Sequence, residues 1–136
     1  MSRFTKISVD GQDLPADAKN WVAVRDETTK LVWSAGEAKK PMRWKKAKAY
    51  AEKLDLCGWK WRLPTVEELF LLADRSRTAP AIDIAFFPEC QSKWYWSGTV
   101  AAPSPSDSAW CVYFYDGDSS WTLQYDEGLV RAVRAG

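Results

Sequence analysis

The sequence contains no histidine, and this absence removes most familiar catalytic centres. Without an imidazole, the chain cannot form a Ser-His or Cys-His nucleophile pair, transfer protons through histidine or build most catalytic zinc sites. No glycine-rich loop of the kind that cradles a phosphate is present either. The composition therefore argues against a conventional enzyme.

Long apolar runs and cysteines are also scarce. No run approaches the ~20 apolar residues that a membrane span requires, and the segment from Met1 to Lys6 lacks the apolar stretch of a signal peptide. The three cysteines, Cys57, Cys90 and Cys111, are odd in number and show no motif spacing. We expect reduced, mostly buried thiols in a cytoplasmic protein, with one disulfide among them as the alternative.

Tryptophan, by contrast, is abundant, with nine in 136 residues. A chain of this length is one ordinary domain, long enough to build a core without disulfides or metals. Each Trp can bury a large area but needs a partner for its indole N–H. We therefore expect most of them to pack in the core, in particular Trp59, Trp61, Trp96 and Trp110.

A short segment in the middle of the chain gives the strongest local signal. Trp59, Trp61 and Leu63 share one side of an extended chain, because successive side chains of a strand alternate. Thr65 and Glu68 then form the pattern of a capping box, which predicts the start of a helix.

Hydrophobic spacing divides the rest of the chain into short elements. It predicts helices over Arg43 to Leu54 and Val66 to Asp74, the second of which would bury Val66, Leu69, Phe70 and Ala73. It predicts strands over Phe4 to Val9, Trp21 to Val24 and Leu31 to Trp33, with loops over 75–91 and 101–108. Helices inserted before a run of C-terminal strands indicate an α+β domain.

Four motifs in this order resemble the DUF1566 family, typified by the C-terminal domain of the Legionella collagen-like adhesin. They are Asp26 to Trp33, Trp59 to Leu69, Tyr95 to Thr99 and Val130 to Arg134. The resemblance implies a loop-rich, C-type-lectin-like α+β fold, with two helices packed on short twisted antiparallel sheets. It also implies a ligand-binding surface and no catalytic centre. The Glu-Pro-Asn and Trp-Asn-Asp calcium signatures of sugar-binding C-type lectins are absent.

The last third of the sequence predicts a β-hairpin. Asp116-Gly117 is a type I′ turn signal, which would place Tyr115 opposite Asp118 and Val112 opposite Trp121. One face would then be a coherent core made of Trp110, Val112, Phe114, Trp121 and Leu123. A slip by one residue would scramble both faces, so the pattern supports this pairing.

The opposite face of that hairpin is the candidate binding site. Tyr gives a large contact area at low entropic cost and Ser gives adaptable hydrogen bonds, so both residue types are favoured on binding surfaces. The alternative is that a second layer covers this face and makes its tyrosines core residues. The candidate residues are Tyr113, Tyr115, Asp118, Ser120, Thr122 and Gln124, with Asp116 and Asp126 adding negative charge at the rim.

Charge is unevenly distributed along the chain. From Glu37 to Arg62 there are nine bases and three acids, whereas from Trp94 to Val130 there are five acids and no Lys or Arg. The basic helix is readily explained as a solvated face. We do not expect direct nucleic-acid binding there, because Trp44 and Tyr50 are predicted to face the core and leave no stacking platform. The acidic segment favours a basic partner.

The other candidate chemical motifs are weak. Glu67 and Glu68 point in different directions on a helix, and Cys90 has no neighbouring base. The segment from Asp116 to Glu127 resembles an EF-hand loop, but Trp121 occupies the position that requires glycine. We therefore expect no catalytic residue, metal or cofactor.

Together these observations predict a cytoplasmic, non-enzymatic binding module that recognises another macromolecule, most simply a protein with a basic surface. One alternative is a phage-encoded anti-defence inhibitor whose acidic surface blocks a nucleic-acid-binding groove. Another is a glycan-binding adhesin module. No membrane interaction is expected.

Overall fold

The computed structural model describes residues 3–136, which form eight strands, two α-helices and one 3-10 turn at Leu56–Gly58. Met1 and Ser2, which belong to the segment considered for a signal peptide, lie outside the described residues. The helices are α1 (Trp44–Lys53) and α2 (Val66–Leu72). The strands are β1 (Phe4–Ile7), β2 (Asp13–Leu14), β3 (Ala23–Asp26), β4 (Leu31–Ser34), β5 (Trp94–Val100), β6 (Ser108–Tyr113), β7 (Asp118–Leu123) and β8 (Val133–Ala135).

The strands form two antiparallel sheets. The larger sheet has the order β2-β1-β3-β4-β8, so the last strand pairs with β4 and closes the N-terminal half. The smaller sheet has the order β5-β6-β7, and its outer strand β7 is an edge. The predicted α+β class with short antiparallel sheets and two helices is confirmed. The likeness to C-type lectins stays a prediction.

The helices pack on opposite faces of the smaller sheet. Leu69 and Leu72 of α2 share a core cluster with Tyr95 and Val112. Trp44 and two alanines of α1 share a second cluster with Trp96 and Cys111. Because neighbouring side chains of a strand point to opposite faces, β5 and β6 are covered on both sides. Strand β7 is not, and its residues are exposed or half-buried.

The central segment folds as its sequence predicts. Trp61 and Leu63 are buried, and Trp59 on the same side is half-buried. The Thr65 hydroxyl accepts a hydrogen bond from the Glu68 amide at 3.1 Å, and the Glu68 carboxylate accepts one from the Thr65 amide at 2.8 Å. The capping box is therefore confirmed.

Expectations about the end of helix α2 and about the burial of Phe70 and Trp110 need correction. Helix α2 ends at Leu72, two residues before Asp74, because Ala73 is extended. Phe70 is 40% exposed and lies under the Arg75 guanidinium, whereas Leu72 occupies the core. Among the tryptophans expected to be mostly buried, Trp96 is fully enclosed, but Trp110 on the α2 side of β6 is only half-buried.

The pairing of the C-terminal hairpin is also corrected. Tyr113, and not Tyr115, lies opposite Asp118, and the turn contains the four residues 114–117. The ladder ends early because Phe114 turns into the core: its amide bonds to Lys93 O, and its ring packs on Tyr95 at 5.1 Å. Gly117 still supplies the positive φ of 90° that the turn requires.

This shift of two residues preserves the side of the sheet to which each side chain points, since the side-chain period of a strand is two. The predicted division into two faces therefore survives. However, Trp121 and Leu123, which were predicted to be core residues, are 44% and 40% exposed. They belong to the edge strand, where the core does not extend.

Candidate functional site

The predicted binding residues of β6 and β7 lie on the side of the smaller sheet that α1 covers only in part. In this register Tyr113 faces Asp118, Cys111 faces Ser120 and Ala109 faces Thr122 across the ladder. Cys111 and Ala109 are buried, but Ser120 and Asp118 are exposed and Tyr113 is half-buried. A second layer therefore covers the inner part of this face and leaves its outer part accessible.

Three aromatic rings form a stack on the accessible part, which we call the aromatic stack: Trp94, Tyr113 and Tyr115. The Trp94 and Tyr113 ring centroids are 4.7 Å apart with planes at 13°, and those of Tyr113 and Tyr115 are 5.7 Å apart at 24°. Trp94 is 39% exposed and Tyr115 48% exposed. Our sequence reasoning missed Trp94, although its alternation with the buried Trp96 was a signal that the two share a face.

A pocket of about 300 Å³ lies beside Trp94, and we call it the β7 pocket. Trp96 and Cys111, both buried, contribute to its inner wall. Three of the predicted site residues line it. The full lining is Trp94, Trp96, Cys111, Ser120, Trp121, Thr122, Asp126, Glu127 and Gly128.

The pocket wall depends on a close approach of backbone to ring at Gly128. A Cβ atom at Gly128 would lie 2.9 Å from Nε1 of Trp96, which is closer than real Cβ contacts. The same indole N–H donates to Met42 O at 2.8 Å, so the ring has a fixed partner and cannot simply rotate away. Only glycine fits at this position without displacing the inner wall.

The lining of the pocket is electrostatically negative. Asp126 and Glu127 are both exposed, and Asp126 accepts a hydrogen bond from the Thr122 hydroxyl. Burial raises the pKa of the Cys111 thiol to about 12, and the charge of Asp126 acts in the same direction. The protonated thiol is therefore the favoured form of Cys111 at neutral pH, and a protonated thiol is a poor nucleophile.

The other predicted site residues lie elsewhere. The Gln124 side chain amide donates to Pro105 O and Ser108 O, so it supports a loop. Asp116 accepts a hydrogen bond from the Asp118 amide inside the turn. Arg75 docks beside this turn and donates to Gly117 O at 2.7 Å, so the two turn carboxylates have a cation nearby. These residues shape the hairpin more than they line the pocket.

The structure also shows the surroundings of the weaker motifs, the Glu67-Glu68 pair and the segment that resembles an EF-hand loop. Glu68 is engaged by its cap and by Arg62 at 2.7 Å. Asp116 and Glu127 lie before and after β7, and a six-residue strand separates them by about 20 Å of chain, so they do not form one calcium loop. Within residues 3–136, no group of three or more His, Cys, Asp or Glu side chains is placed to hold a metal ion.

The basic helix α1 does not present aromatic rings for stacking on bases. Trp44 is buried, and its indole N–H donates to Ser97 O at 2.9 Å, as expected for a core residue. Tyr50 is half-buried, whereas Lys45, Lys46 and Lys48 are exposed. The exposed lysines fit a solvated helix face.

No helix in the described part of the chain is both long and apolar enough to cross a membrane. No curated protein matches the sequence. The family model of the Lcl C-terminal domain matches residues 22–134, which include all four motifs noted in the sequence. The chain therefore belongs to the family of Lcl C-terminal domains, a family of adhesin-like binding modules.

Proposed function

We propose that this chain is a non-enzymatic module that recognises another protein through the aromatic stack and the β7 pocket. The observation that supports this function is the exposure of large aromatic rings beside an acid-lined pocket, next to an edge strand, β7, that contributes little to the core. Protein interfaces are enriched in Trp and Tyr, which often supply most of the binding energy. Family membership supports binding in preference to catalysis.

Charge favours a basic partner. The segment from Trp94 to Val130 carries five acids and no Lys or Arg. Complementary charge accelerates association and selects among partners more than it raises affinity. We place the module in the cytoplasm as part of this proposal.

Two other functions are compatible with particular features. Stacked rings such as Trp94 and Tyr113 also suit the flat faces of sugars, which favours a glycan-binding module. The acidic hairpin suits an anti-defence inhibitor that occupies a nucleic-acid-binding groove. A glycan array tests the first. The second predicts competition between this protein and nucleic acid for one partner, with steep weakening by salt.

The decisive experiment is affinity capture from a lysate of the host organism, followed by mass spectrometry. The wild-type chain should capture a specific protein, and the double variant Tyr113→Ala/Tyr115→Ala should lose it. The matched control is Phe70→Ala, which removes an exposed ring from α2 on the other side of the smaller sheet. Circular dichroism should show that each variant is folded.

The results separate the candidate surfaces. Loss of capture in the Tyr113/Tyr115 variant alone supports the proposed site. Capture that is lost only with Phe70→Ala would assign binding to the α2 side and contradict the proposal. Binding to a glycan, with no protein captured, would replace the protein partner with a carbohydrate.

A further inference from the structure

The β7 pocket has a size and position suited to binding one side chain of a partner protein. Its volume of about 300 Å³ is at the lower end of the range for ligand pockets, too small for an extended peptide. It opens beside the aromatic stack, since Trp94 belongs to both. A partner that covers the stack would therefore bring its own side chains to the pocket.

The walls of the pocket suit a cation on an apolar stem. Three tryptophans line it, Trp94, Trp96 and Trp121, and the side chains of Trp94 and Trp96 point to its side of the sheet. Indole is the aromatic group that attracts cations most strongly, and it also packs against methylene groups. Neutral apolar side chains would also pack against these rings, so the aromatic walls alone do not determine which kind of side chain binds.

The two carboxylates of the pocket provide the distinguishing feature. Neither Asp126 nor Glu127 forms an ion pair within residues 3–136, although Asp13, Asp26 and several other carboxylates are paired with arginines. The lining of the pocket, all of it in the described chain, contains no Lys or Arg. The charge of Asp126 also extends to the inner wall, where it raises the pKa of Cys111 in addition to the effect of burial.

Aromatic walls with unpaired carboxylates form a receptor for an organic cation. We propose that the β7 pocket binds the cationic end of a lysine or arginine side chain carried by the partner protein. This inference rests on the proposed function and adds the chemistry that the partner must present. The methylene stem packs against the indoles of Trp94 and Trp96, and the ammonium or guanidinium group pairs with Asp126 and Glu127.

The test uses small amino-acid amides that have similar aliphatic side chains but differ in side-chain charge. N-acetyl-lysine amide, N-acetyl-arginine amide and the neutral N-acetyl-norleucine amide are each titrated into the full chain. The indole N–H signals of the nine tryptophans are followed by NMR. The signals of Trp94 and Trp96 should shift with the cationic probes and not with norleucine amide, and the probe that binds more tightly identifies the preferred cation.

Two double variants separate the pocket from a general charge effect. Asp126→Asn/Glu127→Gln should weaken probe binding by about tenfold, since it removes both carboxylates that pair with the cation and leaves the indoles in place. The control Asp10→Asn/Asp17→Asn changes the net charge equally at exposed positions outside the pocket and should leave binding unchanged.

The outcomes distinguish this inference from the proposed function. Equal shifts with norleucine amide, or no shift with either cation, would overturn the cationic ligand. If Asp126→Asn/Glu127→Gln still captures the partner protein while Tyr113→Ala/Tyr115→Ala does not, the module binds through the stack and the pocket inference fails. Loss of capture in both variants, with the Asp10/Asp17 control intact, supports both.

Discussion

Arg131 joins the two sheets, and its replacement should be among the most damaging single changes. Its side chain is 1% exposed and that of Glu37 is 3% exposed, with 2.7 Å between Nη2 and Oε2. Nη1 donates to the carbonyl oxygens of Ser34 and Ala35 at 2.6 and 2.8 Å. Glu37 also accepts the hydroxyl of Tyr95, so the pair connects β4 with β5.

The expected cost of Arg131→Met follows from these contacts. Methionine fills part of the volume, but two buried carbonyls lose this donor and the buried Glu37 carboxylate loses its counter-ion. Breaking a buried ion pair from one side costs about 3–5 kcal/mol, because the remaining charge is left without compensation. Domains of this size have only about 5–15 kcal/mol of stability in total. We therefore expect a fall in melting temperature of about 10 °C or more.

Urea unfolding followed by circular dichroism measures this cost. The matched control is Arg134→Met, three residues later on β8; its guanidinium lies 4.5 Å from the Trp59 ring and the residue is partly exposed. It should cost less than about 1 kcal/mol. A cost below about 1 kcal/mol for Arg131→Met itself, or strict additivity with Glu37→Gln, would refute the argument for a coupled buried pair.

The loss of stability caused by Arg131→Met should depend on pH in a defined direction. Burial raises the pKa of Glu37, and Arg131 opposes that increase. Without Arg131, burial is opposed only by the hydrogen bonds from Tyr95 and Gln91, so the pKa of Glu37 in the folded variant lies further above its unfolded value. Protonation then favours the folded state, and the deficit of Arg131→Met should be smaller at pH 4 than at pH 7.

Four further predictions concern the capped helix, the buried Trp61 and the effect of a chelator. Thr65→Ala should cost about 1 kcal/mol, and Trp61→Ala about 3–5 kcal/mol, both measured by urea unfolding. Burial by itself raises the pKa of Glu68, but hydrogen bonds from Arg62 and the Thr65 amide outweigh it and hold the pKa below its usual 4.5. The stabilisation is therefore lost as pH falls below about 4.5, and Glu68→Gln, which retains the cap, should differ from wild type only above that pH. Dialysis against a chelator should leave the melting temperature unchanged; a drop that calcium restores would contradict this.

Sequence patterns predicted the structure correctly where the stabilising contacts join residues that are close in the chain. The capping box involves Thr65 and Glu68, three residues apart, and needs no knowledge of the fold. The alternation from Trp59 to Leu63 predicted the buried side of its segment for a similar reason. The family motif around Arg131 was recognisable too, but its physical role was not, because its partners are about 95 residues away in the chain.

The hairpin shows where local signals fail. Asp116-Gly117 does lie in the turn, yet its preference for a two-residue loop was overruled by the burial of Phe114 against Tyr95. The pattern also could not show that β7 is an edge strand. Trp121 therefore looked like a core residue, although it is exposed on this edge strand. Both errors come from contacts made by distant parts of the chain.

The strands of the smaller sheet contribute unequally to the core, and this difference indicates how such a module can change its ligand. The residues of β7 contribute little to the core, whereas β5 and β6 are packed on both faces. Substitutions at exposed positions usually change stability by less than about 0.5 kcal/mol. Ser120, Thr122 and the acids that follow β7 can therefore vary without unfolding the domain, as long as Arg131 and the capped helix are kept. A shared fold among members of this family does not by itself predict a shared ligand.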